Sequence, residues 1–154
     1  QMPALLGEEL GITEEYLKIQ KMRFSSRLNV DVRHDRKLEQ AVTLPRFTLQ
    51  PLVENAVIHG LEPKEEGGTL ILDVRKTGNY IRIRICDNGM GIEKERLERI
   101  RRRLSEKQPE RIGVWNIWQR LSLYTGRDDS LKIMSKKGAG TIVSIYLHRG
   151  EEDV

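Results

Sequence analysis

Apolar and polar residues alternate along this chain in two periods, and the switches between them lay out its elements. From Leu5 to Phe24, Leu6, Leu10, Tyr16, Leu17, Ile19 and Phe24 recur at roughly helical spacing and predict a helix. Gly11 interrupts the stripe, and Thr13 stands where a fresh start before Glu14 and Glu15 would be capped. Leu28, Val30 and Val32 then alternate with Asn29, Asp31 and Arg33, the period of a half-buried strand. His34 to Lys37 reads as a polar turn. Leu44 to Gly60 returns to helical spacing. Pro51 fits only the first turn of a helix, and with Thr48 as N-cap it falls there. The helix is therefore expected from about Leu49 to His59, closed by Gly60 as a left-handed cap with Pro63 beyond.

The second half is richer in strands. After the turn Glu65-Glu66-Gly67-Gly68, Leu70, Leu72 and Val74 alternate with Thr69, Ile71 and Asp73. Gly78-Asn79 is a tight-hairpin signal, and the returning strand carries Ile81, Ile83 and Ile85 against Arg82 and Arg84. An arginine-rich helix, a loop around Pro109 and an apolar helix from about Gly113 to Tyr124 follow. Strands Leu131 to Ser135 and Ile142 to Leu147 flank the turn Gly138-Ala139-Gly140. Elements in this order imply an α+β two-layer sandwich, with one mixed β-sheet covered on one face by helices.

Composition narrows the classes. At 154 residues and 38% hydrophobic, the chain has apolar material for one core. Cys86 is its only cysteine, which excludes an internal disulfide and a cysteine-rich metal site and suits a reducing, cytoplasmic setting. No apolar run approaches the roughly 20 residues of a membrane-spanning helix. The net charge of +4 raises the question of nucleic acid. Most of the excess lies in Arg96, Arg99, Arg101, Arg102 and Arg103, which alternate with Glu98 and apolar Leu97, Ile100 and Leu104. That is the pattern of a solvated helix face, and no aromatic residues interleave with the arginines, so nucleic acid is not the expected partner.

Three stretches carry candidate chemistry. In Leu49-Gln50-Pro51-Leu52-Val53-Glu54-Asn55-Ala56-Val57-Ile58-His59-Gly60, Asn55 and His59 are four apart and share a helix face. The neutral amide oxygen of Asn55 suits Mg2+ beside phosphates that already supply the negative charge. The plain alternative is an amphipathic helix with a polar edge. In Asp87-Asn88-Gly89-Met90-Gly91-Ile92, a carboxylate ends a strand where it can accept from an exocyclic amine, and two glycines let backbone approach a flat ligand. A strand-ending turn favours the same residues. Arg111-Ile112-Gly113-Val114-Trp115-Asn116 opens a helix whose N-terminus suits phosphates, and Gly138-Ala139-Gly140-Thr141 comes late in the chain. A helix cap and a hairpin turn would account for these two as well. There is neither a dinucleotide fingerprint nor a P-loop.

In this order the three stretches resemble the ATP-binding domain shared by histidine kinases and DNA gyrase, the Bergerat fold. The closer resemblance is to LytS/YesM-type sensor histidine kinases, carried by Gln50 to Ala56 with His59-Gly60, by Tyr16 to Phe24, and by Gln119-Arg120-Leu121. The resemblance implies that Asn55 holds Mg2+, that Asp87 binds the adenine amine, and that Gly89, Gly91 and Ile92 line the adenine side. Gly113 and the backbone at its helix entry would cover the phosphates, with His59 near them, Thr141 would sit near the adenine, and Val114, Asn116 and Gly140 would belong to the same ATP-binding set. Glu54 lies in the motif, but its helical angle points away from Asn55, so no residue is assigned as base.

The chain departs from the wider family at two positions. Ile58 stands where many relatives carry a phosphate-contacting lysine or arginine, and Arg111 where a first glycine is common, so Arg111 itself becomes a candidate phosphate contact. Only about twenty residues separate Gly91 from Gly113, which makes a short lid. None of His34, His59 and His148 lies on a long helix suited to accepting a phosphoryl group. The expected acceptor lies upstream, on a dimerisation domain, with relay to a response regulator. Residues 1–26 are then the end of the dimerisation and linker helices, 27–150 the ATP-binding domain and 151–154 a tail. The piece is expected to be monomeric, and the full protein a homodimer in the bacterial cell membrane with this domain in the cytoplasm. An ATP-hydrolysing gyrase-like enzyme is disfavoured, because Pro51 stands where the water-activating glutamate would be. A non-catalytic nucleotide sensor or a basic interaction domain on the same fold is the remaining alternative.

Overall fold

The computed structural model describes residues 2–106 and 113–148. Strand β1 (Ala4–Leu5) runs into helix α1 (Leu6–Phe24), and a 3-10 turn at Ser25–Arg27 leads to β2 (Leu28–Arg33). Helix α2 (Arg36–Ala41), β3 (Thr43–Leu44) and α3 (Leu49–Asn55) come next, and α3 passes into a π-helical turn at Ala56–Leu61. The hairpin of β4 (Gly68–Thr77) and β5 (Tyr80–Asp87) precedes helices α4 (Lys94–Ser105) and α5 (Gly113–Thr125). Strands β6 (Leu131–Lys136) and β7 (Gly140–His148) complete the described chain.

Five strands form one sheet in the order β2-β4-β5-β7-β6, with β2 and β4 parallel and the other pairs antiparallel. The register sets Leu72 opposite Ile85, Ile85 opposite Val143, and Val143 opposite Ile133, so one face is an apolar row. Ile81, Ile83 and Ile85 are buried on that face, together with Leu52, Val53 and Val57 from α3 and its π turn and Ile117 and Leu121 from α5. Each such side chain contributes about 1.5–3 kcal/mol of transfer free energy. Arg82 and Arg84 point to the other face, where Asp73 lies 3.0 Å from Arg75 and 4.0 Å from Arg82. The sandwich expected from the pattern is the one that forms.

Four local expectations need correction. Helix α1 runs unbroken through Gly11, and Thr13 is buried inside it, its hydroxyl donating to the Glu9 carbonyl at 2.8 Å rather than capping a new start. The stretch after β2 is not only a turn, because the Asp35 carboxylate accepts from the Lys37 N–H at 2.9 Å and starts α2. Thr48 precedes α3 but does not cap it through its side chain, which donates to Pro45 O at 2.6 Å. The cap comes from α1, where the buried Glu9 carboxylate accepts from Thr48 N at 2.8 Å, Phe47 N at 3.2 Å and Leu49 N at 3.3 Å. Phe47 sits at φ 60, held there by Glu9 on its N–H and by Arg120 donating to its carbonyl at 2.9 Å. Finally, Gly60 lies within the π turn and is not among the residues with positive φ. It is small for a different reason, its close approach to a carboxylate in the cavity wall.

Candidate functional site

A cavity of about 370 Å³ opens between α3 with its π turn, the ends of β5 and β7, and helix α4. Its floor is the apolar row Ile85, Val143 and Ile133, and Leu52, Ala56 and Val114 add to the apolar walls. Its polar groups are few, namely Asn55, His59, Asp87, Arg96 and Thr141. A mostly apolar slot with a handful of directed polar groups is the form of a small-molecule site.

Asn55 and His59 reach the same cavity because α3 widens at its end. The Glu62 N–H bonds to the Val57 carbonyl at 2.7 Å, a span of five residues that adds one residue to the turn. The wide turn brings Asn55, Ala56, His59 and Gly60 onto the cavity side, while Ile58 stays 44% exposed outside it. Glu54 faces away from the cavity, accepting from Gln50 Nε2 at 2.8 Å. It lies towards Tyr16 of α1, whose phenol is pushed up to about 12, by burial first and by Glu54 and Glu62 next. The two signature stretches of the sequence thus meet across α1 and α3.

Asp87 is only 8% exposed at the end of β5, and backbone encloses it closely. A Cβ on Gly60 would stand 2.7 Å from Asp87 Oδ1, and a Cβ on Gly89 would stand 2.0 Å from the Gly60 carbonyl oxygen. Neither position can carry a side chain without moving its neighbours. The loop is pinned by Met90 N–H to Gly60 O at 2.8 Å and by Gly89 N–H to Asp87 Oδ1 at 2.9 Å. Burial pushes the Asp87 carboxyl above its ordinary value, while bonds from the Gly89 and Thr141 backbone and the Lys64 charge pull it back in part. The result is a carboxylate fixed in place, with Oδ2 taking no hydrogen bond from a described side chain.

The sequence did not single out Ser135. Its hydroxyl donates to Gly140 O at 2.9 Å, lies 2.8 Å from the Thr141 hydroxyl, and accepts from Ile92 N–H at 2.8 Å. It ties Thr141 on β7 to the loop after Asp87. Thr141 in turn stands opposite Asp87 in the β5–β7 register. A serine in an amphipathic strand gives no signal of this kind, since the contact exists only once β6 and β7 pair.

Of the residues named from sequence, Asn55, His59, Asp87, Gly91, Ile92, Val114 and Thr141 border the cavity. Gly89 and Gly140 stand behind the wall, packed against Gly60 and Asp87 respectively. Gly113 opens α5, and Asn116 is exposed on that helix away from the cavity. Arg111 lies outside the described residues, as do the loop around Pro109 and the tail 151–154. Gly60, Ala56 and Arg96 are wall residues that the sequence reading did not name as ligand contacts.

This is a two-layer α+β domain with an apolar slot, a buried carboxylate at its base and an asparagine on the facing helix. The sequence pattern of the family described as "Histidine kinase-, DNA gyrase B-, and HSP90-like ATPase" matches residues 40–151. The chain belongs to that family, and its fold is that of histidine kinase catalytic domains. YwpD of Bacillus subtilis (strain 168) is 40% identical over 144 residues, which cover 93% of this chain and 49% of that protein. Sensor histidine kinase YpdA of Escherichia coli (strain K12) is 30% identical over 142 residues, covering 92% of this chain and 24% of that protein. The catalytic domain of histidine kinase ThkA superposes with a TM-score of 0.69 at 17% identity, covering 99% of this chain and 98% of that domain. The chain thus resembles the catalytic part of sensor histidine kinases and spans about half or less of the curated relatives' length. The family is one of ATPases, so the coarse function of the domain is ATP binding. Among the described residues, no helix is long and apolar enough to cross a membrane.

Proposed function

We propose that this chain is the Mg-ATP-binding catalytic domain of a two-component sensor histidine kinase, similar to the LytS/YesM type. In the whole protein it would donate the γ-phosphoryl group to a histidine on an upstream dimerisation domain, for relay to a response regulator. Residues 1–26 would end the linker from that domain, 27–150 form the ATP-binding domain and 151–154 a tail. The piece alone would be a monomer unable to autophosphorylate, and the whole protein a membrane-tethered homodimer with this domain in the cytoplasm.

The observation that carries this reading is the buried, backbone-enclosed Asp87 carboxylate at the base of an apolar slot. Asp87 accepts from the adenine exocyclic amine, a contact that a guanine, with a carbonyl at that position, cannot make. Gly89, Gly91 and Ile92 shape the base side, with Thr141 and Gly140 behind it. Asn55 offers a neutral amide oxygen that fits Mg2+ when phosphates complete its shell, since hard oxygen donors suit that ion. Bound Mg2+ supplies charge neutralisation of the phosphates. His59 and Val114 border the phosphate side, Gly113 opens the helix that leads to it, and Arg111 is assigned there from sequence, whereas Asn116 does not border the cavity. Glu54 is not assigned as a base. Positioning and electrostatics account for most of phosphoryl transfer, so a separate acceptor helix docking on this domain would complete the site.

Calorimetric titration with a non-hydrolysable ATP analogue, with and without Mg2+ and with GTP as control, tests the reading. Adenine-selective binding that Mg2+ strengthens is expected, and Asn55→Ala should abolish the Mg2+ effect. Equal affinity with and without Mg2+ in both parent and variant would exclude the Asn55 role. No binding at millimolar ligand would move a non-catalytic interaction domain to first place.

A further inference from the structure

The walls of the cavity carry little positive charge. Asp87 brings a carboxylate, and Asn55 and Thr141 are neutral. Ile58, which could have been cationic, is apolar and outside the cavity. A single Mg2+ leaves a triphosphate with net negative charge, so beside Asp87 a cation on the wall would add to its binding. Among the described residues bordering the cavity, Arg96 is the only one with a fixed positive charge.

The placement of Arg96 comes from helical spacing. Ile92 precedes α4, and Ile100 lies one turn beyond Arg96, buried against the core. Residues four apart share a helix side, so Arg96 stands on the side of α4 that carries Ile100, and both border the cavity together with Ile92. It is exposed, and no hydrogen bond or ion pair engages it among the described residues. Arg101 on the same helix differs, because it donates to the Ile133 carbonyl and is already committed. Arg96 thus faces the slot with its donors unspent, while Arg101 serves the sheet edge.

We infer that Arg96 binds the phosphate chain of the nucleotide and sets the preference of the site for charged nucleotides over the nucleoside. This inference rests on the nucleotide-binding reading above and assigns a specificity residue that the sequence motifs do not contain. A planar guanidinium with five donors matches phosphate oxygens in pairs, which an alkylammonium cannot do. The grip also joins ligand to α4, the helix that leads into the segment before α5.

Calorimetry with a non-hydrolysable ATP analogue, ADP and adenosine tests it on the parent and on Arg96→Ala, Arg96→Lys and Arg99→Ala. Arg99 is exposed on α4 and does not border the cavity, so it reports the loss of one charge alone. In Arg96→Ala the ATP analogue should weaken roughly tenfold while adenosine is unchanged, the size of one charge-assisted contact. Arg96→Lys should recover part of the loss, and Arg99→Ala should match the parent. The salt dependence of ATP-analogue binding should be shallower in Arg96→Ala than in the parent. An unchanged ratio of ATP-analogue to adenosine affinity in Arg96→Ala would overturn the inference. So would equal weakening of both ligands in a variant that melts like the parent. A parent that binds neither ligand would instead overturn the nucleotide reading, an outcome that the parent titration alone distinguishes.

Discussion

The two sides of the cavity are built by different means. Around Asp87 the structure is backbone against backbone, with Gly60, Gly89 and Met90 in mutual contact and the carboxylate already bonded to a loop N–H. At the rim, His59 and Arg96 are exposed side chains that no described hydrogen bond or ion pair holds. The first arrangement is pre-organised, so little ordering is needed when a rigid ring enters. The second can follow a flexible, charged chain through several conformers. On the proposed reading, rigid ligand parts would be met by rigid protein and mobile parts by long side chains.

The sharpest way to break the comparison is Gly89→Ala. The new methyl would meet the Gly60 carbonyl oxygen at 2.0 Å, a backbone atom fixed by the Met90 bond. We expect a loss of about 3 kcal/mol in stability from overpacking, and no measurable nucleotide binding. Thermal melting and titration measure the two effects, and a variant that melts and binds like the parent would mean that the base side is not rigid.

Asp87→Asn separates recognition from stability. Adenine-nucleotide affinity should fall about a hundredfold, near 2.7 kcal/mol, because the acceptor is replaced by an amide in a desolvated place. The melting temperature should not fall, since folding already disfavours the charged Asp87. Burial raises its pKa, so in the unliganded domain the contribution of Asp87 to stability is fully present below its unfolded value and is lost as pH rises through the raised one. Nucleotide binding has the opposite sign. It needs the carboxylate, and should weaken as pH falls through that raised value, above the ordinary aspartate range. Binding that stays flat over that window in the parent would exclude Asp87 as the acceptor.

The smallest expected effect is on the helix wall. Glu9→Ala removes the acceptor for Thr48, Phe47 and Leu49 N–H groups at the start of α3. A loss of about 2 kcal/mol, or roughly 6 °C in melting temperature, is expected. Because Asn55 rides on α3, the Mg2+ effect should weaken as well, whereas adenosine affinity should hold. A Glu9→Ala domain with unchanged melting would show that α3 stands without its cap from α1.

How much of this was legible in the sequence varies by residue. The period-two alternation of Ile81, Ile83 and Ile85 against Arg82 and Arg84 stated both the strand and its buried face, because burial of one side leaves a direct trace in residue type. Asn55, His59 and Asp87 were legible for another reason. Each lies in a short local pattern, with Asn55 and His59 on one helix side and Asp87 at a strand end. Ser135 and Arg96 left no such trace, since a serine in a strand and an arginine on a charged helix are ordinary residues until their neighbours are known. Thr13 and Thr48 misled for a related reason. Both are good capping residues by local chemistry, but Thr13 was absorbed into a continuous helix, and Thr48 yielded its task to Glu9, some forty residues away in sequence.

The sequence by itself therefore determined the order along the chain of the five sheet strands and of helices α1, α3, α4 and α5, the apolar face of the sheet and the candidate chemistry at Asn55, His59 and Asp87. These come from local periodicity and from side-chain chemistry that each residue carries wherever it sits. Only the tertiary structure decided that Gly60 serves to approach Asp87 rather than to end a helix, that a π turn gathers Asn55 and His59 onto one wall, and that α1 supplies the cap of α3. Each of these depends on a distance between segments far apart in the chain, and such distances are set by packing, which no local pattern encodes.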